Sequence, residues 1–309
     1  MPLDPQVAAL LQQLQVLGAP KLPTLSPIEA RKQTELILPL AGDPIAVGSV
    51  RDITIPVDEV VIGARVYTPE GEGPYPVVVF FHGGGWVICN LDTHDHIARS
   101  ICRDADAVVV SVDYRMGPEH RFPTAVHDCF AATKWVAEHA PSLGAEASRL
   151  AVCGDSAGGN LSAVVSQIAR DNGGPTIIFA ALIYPAVNMT AKGGSLDENA
   201  TGYFLETDHM EWYMSHYLTE AERSDVLASP LLNENLAGLP ACFIATCEYD
   251  PLRDEGEAYA DALRANGVHV AAKRYDGLIH AAANLTGVLD GGRQLVADVG
   301  AHLHAALHS

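Results

Sequence analysis

Two short glycine-rich runs constrain the fold of this chain more than any other feature of its sequence. Residues 82–86 read HGGGW, and residues 154–159 read GDSAGG. An apolar, strand-like segment (149–153) precedes the second run, and a helix-like segment (160–166) follows it. The pattern G-x-S-x-G between a strand and a helix predicts a sharp turn that exposes its serine, here Ser156. The flanking glycines leave room for the chain to reverse at that serine.

The two runs together indicate acyl-transfer chemistry. A serine hydroxyl on such a turn attacks a carbonyl when an adjacent base, itself oriented by a third group, takes its proton. A loop of successive glycines offers backbone N–H groups that no side chain covers, and such groups stabilise the oxyanion that the attack creates. The sequence therefore predicts a serine acyl hydrolase with Ser156 as its nucleophile.

The acid and the base are expected after the serine, in that order along the chain. Asp250 closes an apolar, strand-like segment (241–249) and suits the acid. Glu248 and Asp254 are the alternatives, although the capping of a helix explains Asp254 well. His280, in the loop predicted after the next strand, is the candidate base.

Three other histidines lie close to these motifs in the sequence. His82 precedes the glycines and is predicted to brace their loop through hydrogen bonds rather than to transfer protons. His94 and His96, beside acidic residues, would suit a metal site, but that alternative leaves both glycine runs without a role. We therefore expect neither a metal nor an organic cofactor.

Apolar segments alternate with helix-like segments over most of the chain. Continuous apolar strands that alternate with helices indicate a mostly parallel sheet covered on both faces. The predicted strands are 47–57, 59–68, 76–81, 108–112, 150–153, 177–184, 241–246 and 268–274. The predicted helices are 93–103, 123–138, 255–265 and 288–307, after a helical N-terminal region that ends near residue 40.

The alternation breaks at 188–227, where the chain becomes polar and then rich in aromatic side chains. An aromatic insertion between two strands suggests a lid over the carboxyl edge of the sheet, where α/β folds bind ligands. A local core within the insertion is the alternative. Trp86 directly follows the glycines and is predicted to form part of a pocket wall. We predict substrate contacts from Trp86, Tyr184, Phe204 and Trp212.

These motifs resemble those of the hormone-sensitive-lipase-like family of α/β-hydrolases, the bacterial and archaeal carboxylesterases with an HGGG motif. The matching segments are 82–86 (HGGGW), 91–95 (LDTHD), 113–115 (DYR), 118–120 (PEH), 122–123 (FP), 154–160 (GDSAGGN) and 250–255 (DPLRDE). The resemblance implies an α/β-hydrolase fold, with a mostly parallel, eight-stranded sheet, helices on both faces and a helical cap.

The resemblance also implies a role for individual residues. The implied catalytic residues are Ser156, Asp250 and His280. The implied oxyanion hole consists of the backbone N–H groups of Gly84, Gly85 and Ala157. Gly83 is a less suitable donor.

The domain organisation follows from the same resemblance. A cap made from the N-terminal helices and the segment after the sixth strand is expected to cover a hydrolase core. The expected boundaries are 1–45 for the N-terminal part of the cap, 46–187 for the first part of the core, 188–227 for the inserted cap segment and 228–309 for the second part of the core. The strand at 268–274 is expected at a sheet edge. Because exposed edges tend to be paired, we expect a homodimer that joins those edges.

The charge and the cysteines restrict the partners and the compartment. With 38 acidic against 19 basic side chains, the net charge of -19 would repel nucleic acid and anionic membranes. A small neutral ester fits this balance, and no stable membrane association is expected. No apolar stretch approaches the roughly 20 residues that span a bilayer, and the N terminus lacks the pattern of a signal peptide. Six singly spaced cysteines predict free thiols in a reducing cytoplasm.

The shape of the pocket and the reaction catalysed each leave alternatives open. Ala281 and Ala282 follow His280, where the family commonly has glycine and a bulky aromatic residue, and this departure could reshape the pocket wall. The same scaffold also serves non-catalytic receptors, which tend to lose the base, and the same triad can serve an amidase or a dehydratase-like lyase. We expect an ester hydrolase for short- to medium-chain acyl esters.

Overall fold

The computed structural model describes residues 2–18 and 20–309, and these residues contain eight strands in one sheet. In chain order the strands are β1 (Ser49–Val57), β2 (Val60–Thr68), β3 (Tyr75–Phe81), β4 (Val108–Asp113), β5 (Ala145–Asp155), β6 (Phe179–Ile183), β7 (Ala241–Tyr249) and β8 (Val270–Ile279). Their order across the sheet is β1-β2-β4-β3-β5-β6-β7-β8. Strand β2 runs antiparallel to both of its neighbours, and every other pair is parallel. The predicted α/β fold with a mostly parallel, eight-stranded sheet is confirmed.

The central strands are apolar along their whole length because both faces of the sheet are covered. Every residue of β3 is buried, and successive residues face opposite cores. Val77, Val79 and Phe81 pack in one core. Val78 and Phe80 pack in the other. The two-residue period of a strand produces this division, so a strand between two helical layers requires a continuous apolar run.

Nine α-helices lie among the described residues, and several of them cover the two faces of the sheet. They are α1 (Pro5–Leu17), α2 (Pro27–Thr34), α3 (Asp95–Ala105), α4 (Thr124–His139), α5 (Ala157–Asp171), α6 (Ser195–Glu198), α7 (Thr207–Tyr217), α8 (Arg253–Ala265) and α9 (Asp290–Leu307). Helices α3 and α9 supply apolar side chains to the core on one face, and α4, α5 and α8 supply them to the other. In the described part of the chain, no helix combines the length and the apolar character needed to cross a bilayer.

Strand β8 is longer than predicted. The prediction of an end at residue 274, with a loop before His280, is wrong, because β8 continues to Ile279. Its pairing with β7 shifts register between Cys247 and Tyr249, and beyond the shift Tyr249 pairs with Ile279. The strand therefore delivers His280 directly at its carboxyl end. Strand β8 lies at the edge of the sheet, as predicted.

Arg31 fastens the N-terminal helix α2 to the rest of the molecule. Its Nε donates to Val87 O at 2.8 Å, and its Nη2 donates to Gly117 O at 2.8 Å. The two Nη groups also donate to the carboxylate of Glu119, at 2.8 and 2.7 Å. A planar guanidinium can make all these bonds at once. The contacts tie α2 to the loop that follows the HGGGW run.

Candidate active site

A tight turn between β5 and α5 carries Ser156. The residue has φ 55° and ψ -116°, and a positive φ is uncommon for a residue with a side chain. The residues two positions before and after it, Gly154 and Gly158, are glycines because nothing larger fits. A Cβ on Gly154 would lie 2.4 Å from the carbonyl carbon of Gly158, and one on Gly158 would lie 1.8 Å from Phe81 O. The turn therefore holds a strained serine at the carboxyl edge of the sheet.

Three predicted catalytic side chains meet at this edge. Asp250 directly follows β7 and His280 directly follows β8, and these two strands are neighbours. Nδ1 of His280 lies 2.7 Å from Oδ2 of Asp250, and its Nε2 lies 2.9 Å from Oγ of Ser156. Asp250 is fully buried, and its other oxygen accepts a hydrogen bond from Leu252 N at 2.8 Å. The side chains form one hydrogen-bonded chain, which is the arrangement that activates a serine.

The two alternative acids have other partners. Asp254 accepts a hydrogen bond from Ser195 N at 2.8 Å, and it pairs with the Arg253 guanidinium at 2.8 Å. Glu248 accepts a hydrogen bond from Gly277 N at 2.7 Å. Of the three candidate acids, Asp250 is therefore the one in contact with the histidine.

Bonds to the carbonyl groups of the HGGGW loop orient its N–H groups. The Gly83 carbonyl lies 2.7 Å from Nδ1 of His82, and the Gly84 carbonyl accepts bonds from two later N–H groups, at 3.1 and 3.0 Å. In a trans peptide the N–H and the C=O point in opposite directions. The N–H groups of Gly84 and Gly85 therefore point away from the bonded carbonyl groups of Gly83 and Gly84. Burial, together with the nearby His94, lowers the pKa of His82 to about 4. His82 therefore braces the loop as a neutral side chain.

The third predicted donor is oriented in the same manner. The Ser156 carbonyl accepts a bond from Asn160 N at 3.0 Å. The N–H of Ala157 belongs to the same peptide group, so it points in the direction opposite to that carbonyl. All three predicted donors line the cavity that contains the serine. The N–H of Gly83 instead donates to Oδ1 of Asp155 at 2.9 Å and is not free to bind an oxyanion.

A buried carboxylate that the sequence reasoning missed joins three parts of the site. Asp155 precedes the nucleophile and accepts a bond from Gly83 N in the HGGGW loop. It also contacts His94 Nε2 at 3.1 Å, and it accepts a bond at 3.4 Å from Nδ2 of Asn284, which follows the base. Burial raises the pKa of Asp155, but the His94 ring and the Gly83 N–H together hold it below its usual value. A carboxyl in an apolar strand needs buried hydrogen-bond partners. The position of Asp155 at the end of the apolar segment was therefore a signal in the sequence that this residue has a structural role.

The two histidines considered for a metal site have different partners. His94 contacts Asp155, whereas Nε2 of His96 lies 2.8 Å from Oγ1 of Thr286. Burial and the neighbouring His94 lower the pKa of His96 to about 4. Within residues 2–18 and 20–309, no three histidine, cysteine, aspartate or glutamate side chains are grouped as metal ligands would be.

A cavity of about 1810 Å³ opens in front of Ser156 and His280. Its walls include two of the predicted contact residues, Trp86 and Phe204. The Trp86 ring stacks on the Tyr217 ring, with centroids 4.7 Å apart and an angle of 4° between the planes. Ordinary ligand pockets enclose roughly 300–1,000 Å³. This cavity is larger because it extends between the inserted segment and the N-terminal region, where α1 and residues 36–40 supply apolar side chains.

Two predicted contacts do not line the cavity. Tyr184 is buried, and its ring lies against the ring of His280 with centroids 4.6 Å apart. Trp212 packs into a small core beside α2, and its neighbour Tyr213 lines the cavity. A Cβ on Gly85 would lie 2.3 Å from the Tyr213 ring.

Ala281, where the family commonly has glycine, has a φ of 65°. A residue with a Cβ is strained in this left-handed conformation by roughly 1–2 kcal/mol. We expect Ala281→Gly to raise the free energy of unfolding by about 1 kcal/mol, as measured by urea denaturation. Ala282, buried and without a positive φ, is the matched control, and Ala282→Gly is expected to lower stability. A loss of stability in Ala281→Gly would contradict the prediction.

The chain belongs to the family of proteins with the alpha/beta hydrolase fold, and the family model matches residues 78–284. These residues run from β3 to the segment after the base. They include all three side chains of the hydrogen-bonded chain, Ser156, Asp250 and His280. The resemblance noted from the motifs is confirmed.

Individual relatives are similar over almost the whole chain. The carboxylic ester hydrolase LipN of Mycobacterium tuberculosis is 42% identical over 313 residues, which cover 97% of this chain and 83% of that protein. An arylesterase of Saccharolobus solfataricus is 36% identical and covers 91% of this chain and 92% of that protein. Among solved structures, the hyperthermophilic esterase of Pyrobaculum calidifontis has a TM-score of 0.93 at 41% identity and covers 99% of both chains.

Proposed function

We propose that this chain is a serine carboxylesterase that hydrolyses short- to medium-chain acyl esters through an acyl-enzyme on Ser156. The observation that carries the proposal is the hydrogen-bonded chain from Asp250 through His280 to Ser156, at the wall of the cavity. The relatives named carboxylic ester hydrolase, arylesterase and esterase support the same reaction.

The first half of the reaction forms the acyl-enzyme. Oγ of Ser156 attacks the ester carbonyl carbon while Nε2 of His280 accepts the hydroxyl proton. Asp250 holds the imidazole through Nδ1 and stabilises the positive charge that develops on the ring. The carbonyl oxygen becomes an oxyanion and accepts hydrogen bonds from the backbone donors of the oxyanion hole. His280 then gives its proton to the leaving alcohol as the C–O bond breaks.

The second half of the reaction releases the acid. A water molecule takes the place of the alcohol and gives a proton to His280 as its oxygen attacks the acyl carbon. The same backbone donors stabilise the second oxyanion. When that intermediate collapses, His280 returns the proton to Oγ of Ser156, and the carboxylic acid leaves.

Hydrolysis of p-nitrophenyl butyrate tests this proposal and separates it from the alternatives. We expect release of p-nitrophenolate over many turnovers, and a far slower reaction with the p-nitroanilide of the same acid. Comparable rates for the ester and the anilide would favour an amidase. Binding of the ester without release of p-nitrophenolate would favour a receptor. Either result would contradict the proposed function.

We expect catalytic efficiency to pass through a maximum among the short and medium p-nitrophenyl esters. Each additional methylene contributes roughly 0.8 kcal/mol while it is buried against an apolar wall. Beyond the available space, overpacking reverses the gain. Trp86, Phe204 and Tyr213 line the cavity. The Tyr213 ring, 2.3 Å from the position of a Cβ on Gly85, limits the room beside the predicted oxyanion hole. Kinetics from acetate to palmitate measure the maximum, and an efficiency that still rises at long chains, or activation at a lipid interface, would indicate a true lipase.

We propose that residues 1–45 and 188–227 form a cap over a hydrolase core of residues 46–187 and 228–309. Side chains from both cap segments line the cavity, which supports this division. The bonds from Arg31 to the loop after the HGGGW run support a cap that is held in place over the site.

We also propose a homodimer that pairs the β8 edges of two subunits. Strand β8 is an edge strand, and unpaired edges tend to be covered. Its two basic side chains are neutralised within the subunit, because Lys273 pairs with Asp298 and Arg274 pairs with Glu257. Light scattering at micromolar concentration is expected to give twice the 32.8 kDa subunit mass. A monomeric mass would contradict the proposed dimer.

A cytoplasmic location and a small neutral substrate complete the proposal. All six cysteines are free thiols and five of them are buried, which supports a reducing compartment. The net charge of -19 supports the absence of nucleic acid and anionic membrane partners.

A further inference from the structure

Glu255 is a buried carboxyl in the wall of the active-site cavity, and only one of its two oxygens is bonded. The side chain is 6% exposed and lies in the first turn of α8. Its Oε1 accepts hydrogen bonds from Val187 N at 2.6 Å and from Asn188 N at 3.1 Å. Within the described residues, Oε2 has no hydrogen-bond partner. Glu255 lines the same cavity as Ser156.

The surroundings of Glu255 keep this carboxyl neutral near pH 7. Burial raises the pKa of Glu255 to about 8, the two backbone N–H groups lower it, and the nearby Asp250 raises it. When substrate fills the cavity and displaces its water, a carboxyl oxygen without a partner becomes costly, so Oε2 is then expected to bond to the substrate. Leu252, Ala186 and Met189 supply apolar side chains to the wall of the same cavity. In such surroundings a polar partner has to come from the substrate or from a water molecule that the substrate displaces.

We propose that Glu255 contacts the substrate directly and selects esters that carry a hydroxyl group over esters with a methyl group in its place. A hydroxyl can accept a hydrogen bond from the protonated carboxyl and can donate one to the ionised form, so it fits either state. A cationic substituent would need the ionised carboxylate, which burial disfavours. An anionic substituent would be repelled by the nearby carboxylate of Asp250. This inference rests on the proposed esterase function.

A site built to hydrogen-bond a substrate hydroxyl discriminates strongly against an analogue that lacks it, because the buried polar group is then left unpaired. The same side chain also has a structural role, because its Oε1 holds the backbone of residues 187 and 188 in place. Replacement of Glu255 is therefore expected to change activity in general, and only a ratio between two substrates isolates the contact.

The experiment measures kcat/KM for pairs of esters, by pH-stat titration at pH 7. Each pair matches a hydroxyl with a methyl group, on the acyl side (ethyl 2- and 3-hydroxybutanoate) and on the alcohol side (hydroxyalkyl butyrates of two to four carbons). In the wild type we expect a ratio of about ten in favour of the hydroxyl at one position or more. Glu255→Met is expected to bring that ratio to about one, and Glu255→Gln, which keeps a donor and an acceptor, to retain most of it.

Two further variants keep the outcome decisive. Glu257→Gln removes a carboxylate on the same helix that pairs with Arg274 at 2.6 Å, and it is expected to leave the ratio unchanged. If Glu255→Met does not fold, Glu255→Asp replaces it, because a carboxyl drawn back by one methylene is expected to lower the ratio at the preferred position. A wild-type ratio near one at every position would overturn the inference. So would a preference that survives in Glu255→Met, or in Glu255→Asp where Glu255→Met does not fold. Hydrolysis of the methyl-bearing esters by the wild type tests the esterase function itself.

Discussion

Alanine in place of Ser156 or His280 is expected to lower kcat for p-nitrophenyl butyrate by about a million-fold. Each substitution removes the nucleophile or the group that takes its proton, and the remaining members cannot replace it. The oxyanion hole and substrate binding remain, so a residual rate above that in water is expected. Steady-state kinetics with each purified variant measures the effect.

The matched controls separate chemistry from folding. Asp250→Ala is expected to cost less, about ten-thousand-fold, because the serine and the histidine remain in contact. His139→Ala removes a histidine that stacks on Trp135 at the end of α4, and it is expected to leave kcat unchanged. Circular dichroism checks that every variant is folded. Near-normal esterase activity in Ser156→Ala would contradict the proposed mechanism.

Asp155→Ala is expected to lower the free energy of unfolding by about 3–5 kcal/mol. The substitution removes the buried carboxylate that the Gly83 N–H, the His94 ring and the Asn284 side chain all contact. Only the longer contact of 3.3 Å between Gly83 N and His94 Nε2 remains. Because the HGGGW loop then loses its anchor beside the nucleophile, kcat is also expected to fall, by about a hundred-fold. Urea denaturation and steady-state kinetics measure the two effects.

Asp155→Asn is the matched control for this substitution. The amide has the size of the carboxylate and keeps one oxygen that can accept the bond from Gly83 N. We expect a smaller loss of stability and of kcat than in Asp155→Ala. Wild-type stability and kcat in Asp155→Ala would show that this carboxylate does not hold the site together.

The sheet and the chemistry at its edge could be predicted because both depend on local patterns. A continuous apolar run such as 76–81 indicates a strand covered on both faces, whatever packs against it. The turn around Ser156 needs glycines at fixed positions, so its sequence identifies it. Asp250 and His280 could be chosen because each follows a predicted strand, and neighbouring parallel strands end at the same edge of the sheet.

The walls of the cavity could be predicted only in part: Trp86 and Phe204 line it as expected, but the rest of the wall depends on how distant segments pack. Trp212 and Tyr213 are neighbours in an aromatic stretch, and only the packing of α7 decides which of them faces the cavity. Tyr184 ends a strand beside the site, yet its ring lies against His280. Glu255, of which only one carboxyl oxygen is hydrogen-bonded, could not be recognised from the sequence. Acidic residues are common in the first turn of a helix, where they stabilise its N terminus, so the position of Glu255 does not distinguish it.

The most direct test of the central claim, that Ser156 carries the acyl group, is peptide mass spectrometry after reaction with a p-nitrophenyl alkylphosphonate. The phosphonate reacts with an activated serine as an ester does, but the product hydrolyses very slowly. We predict one phosphonyl group per chain, on the peptide that contains Ser156, and a loss of esterase activity in proportion to the label. A label on a different residue, or full activity in completely labelled protein, would contradict the claim.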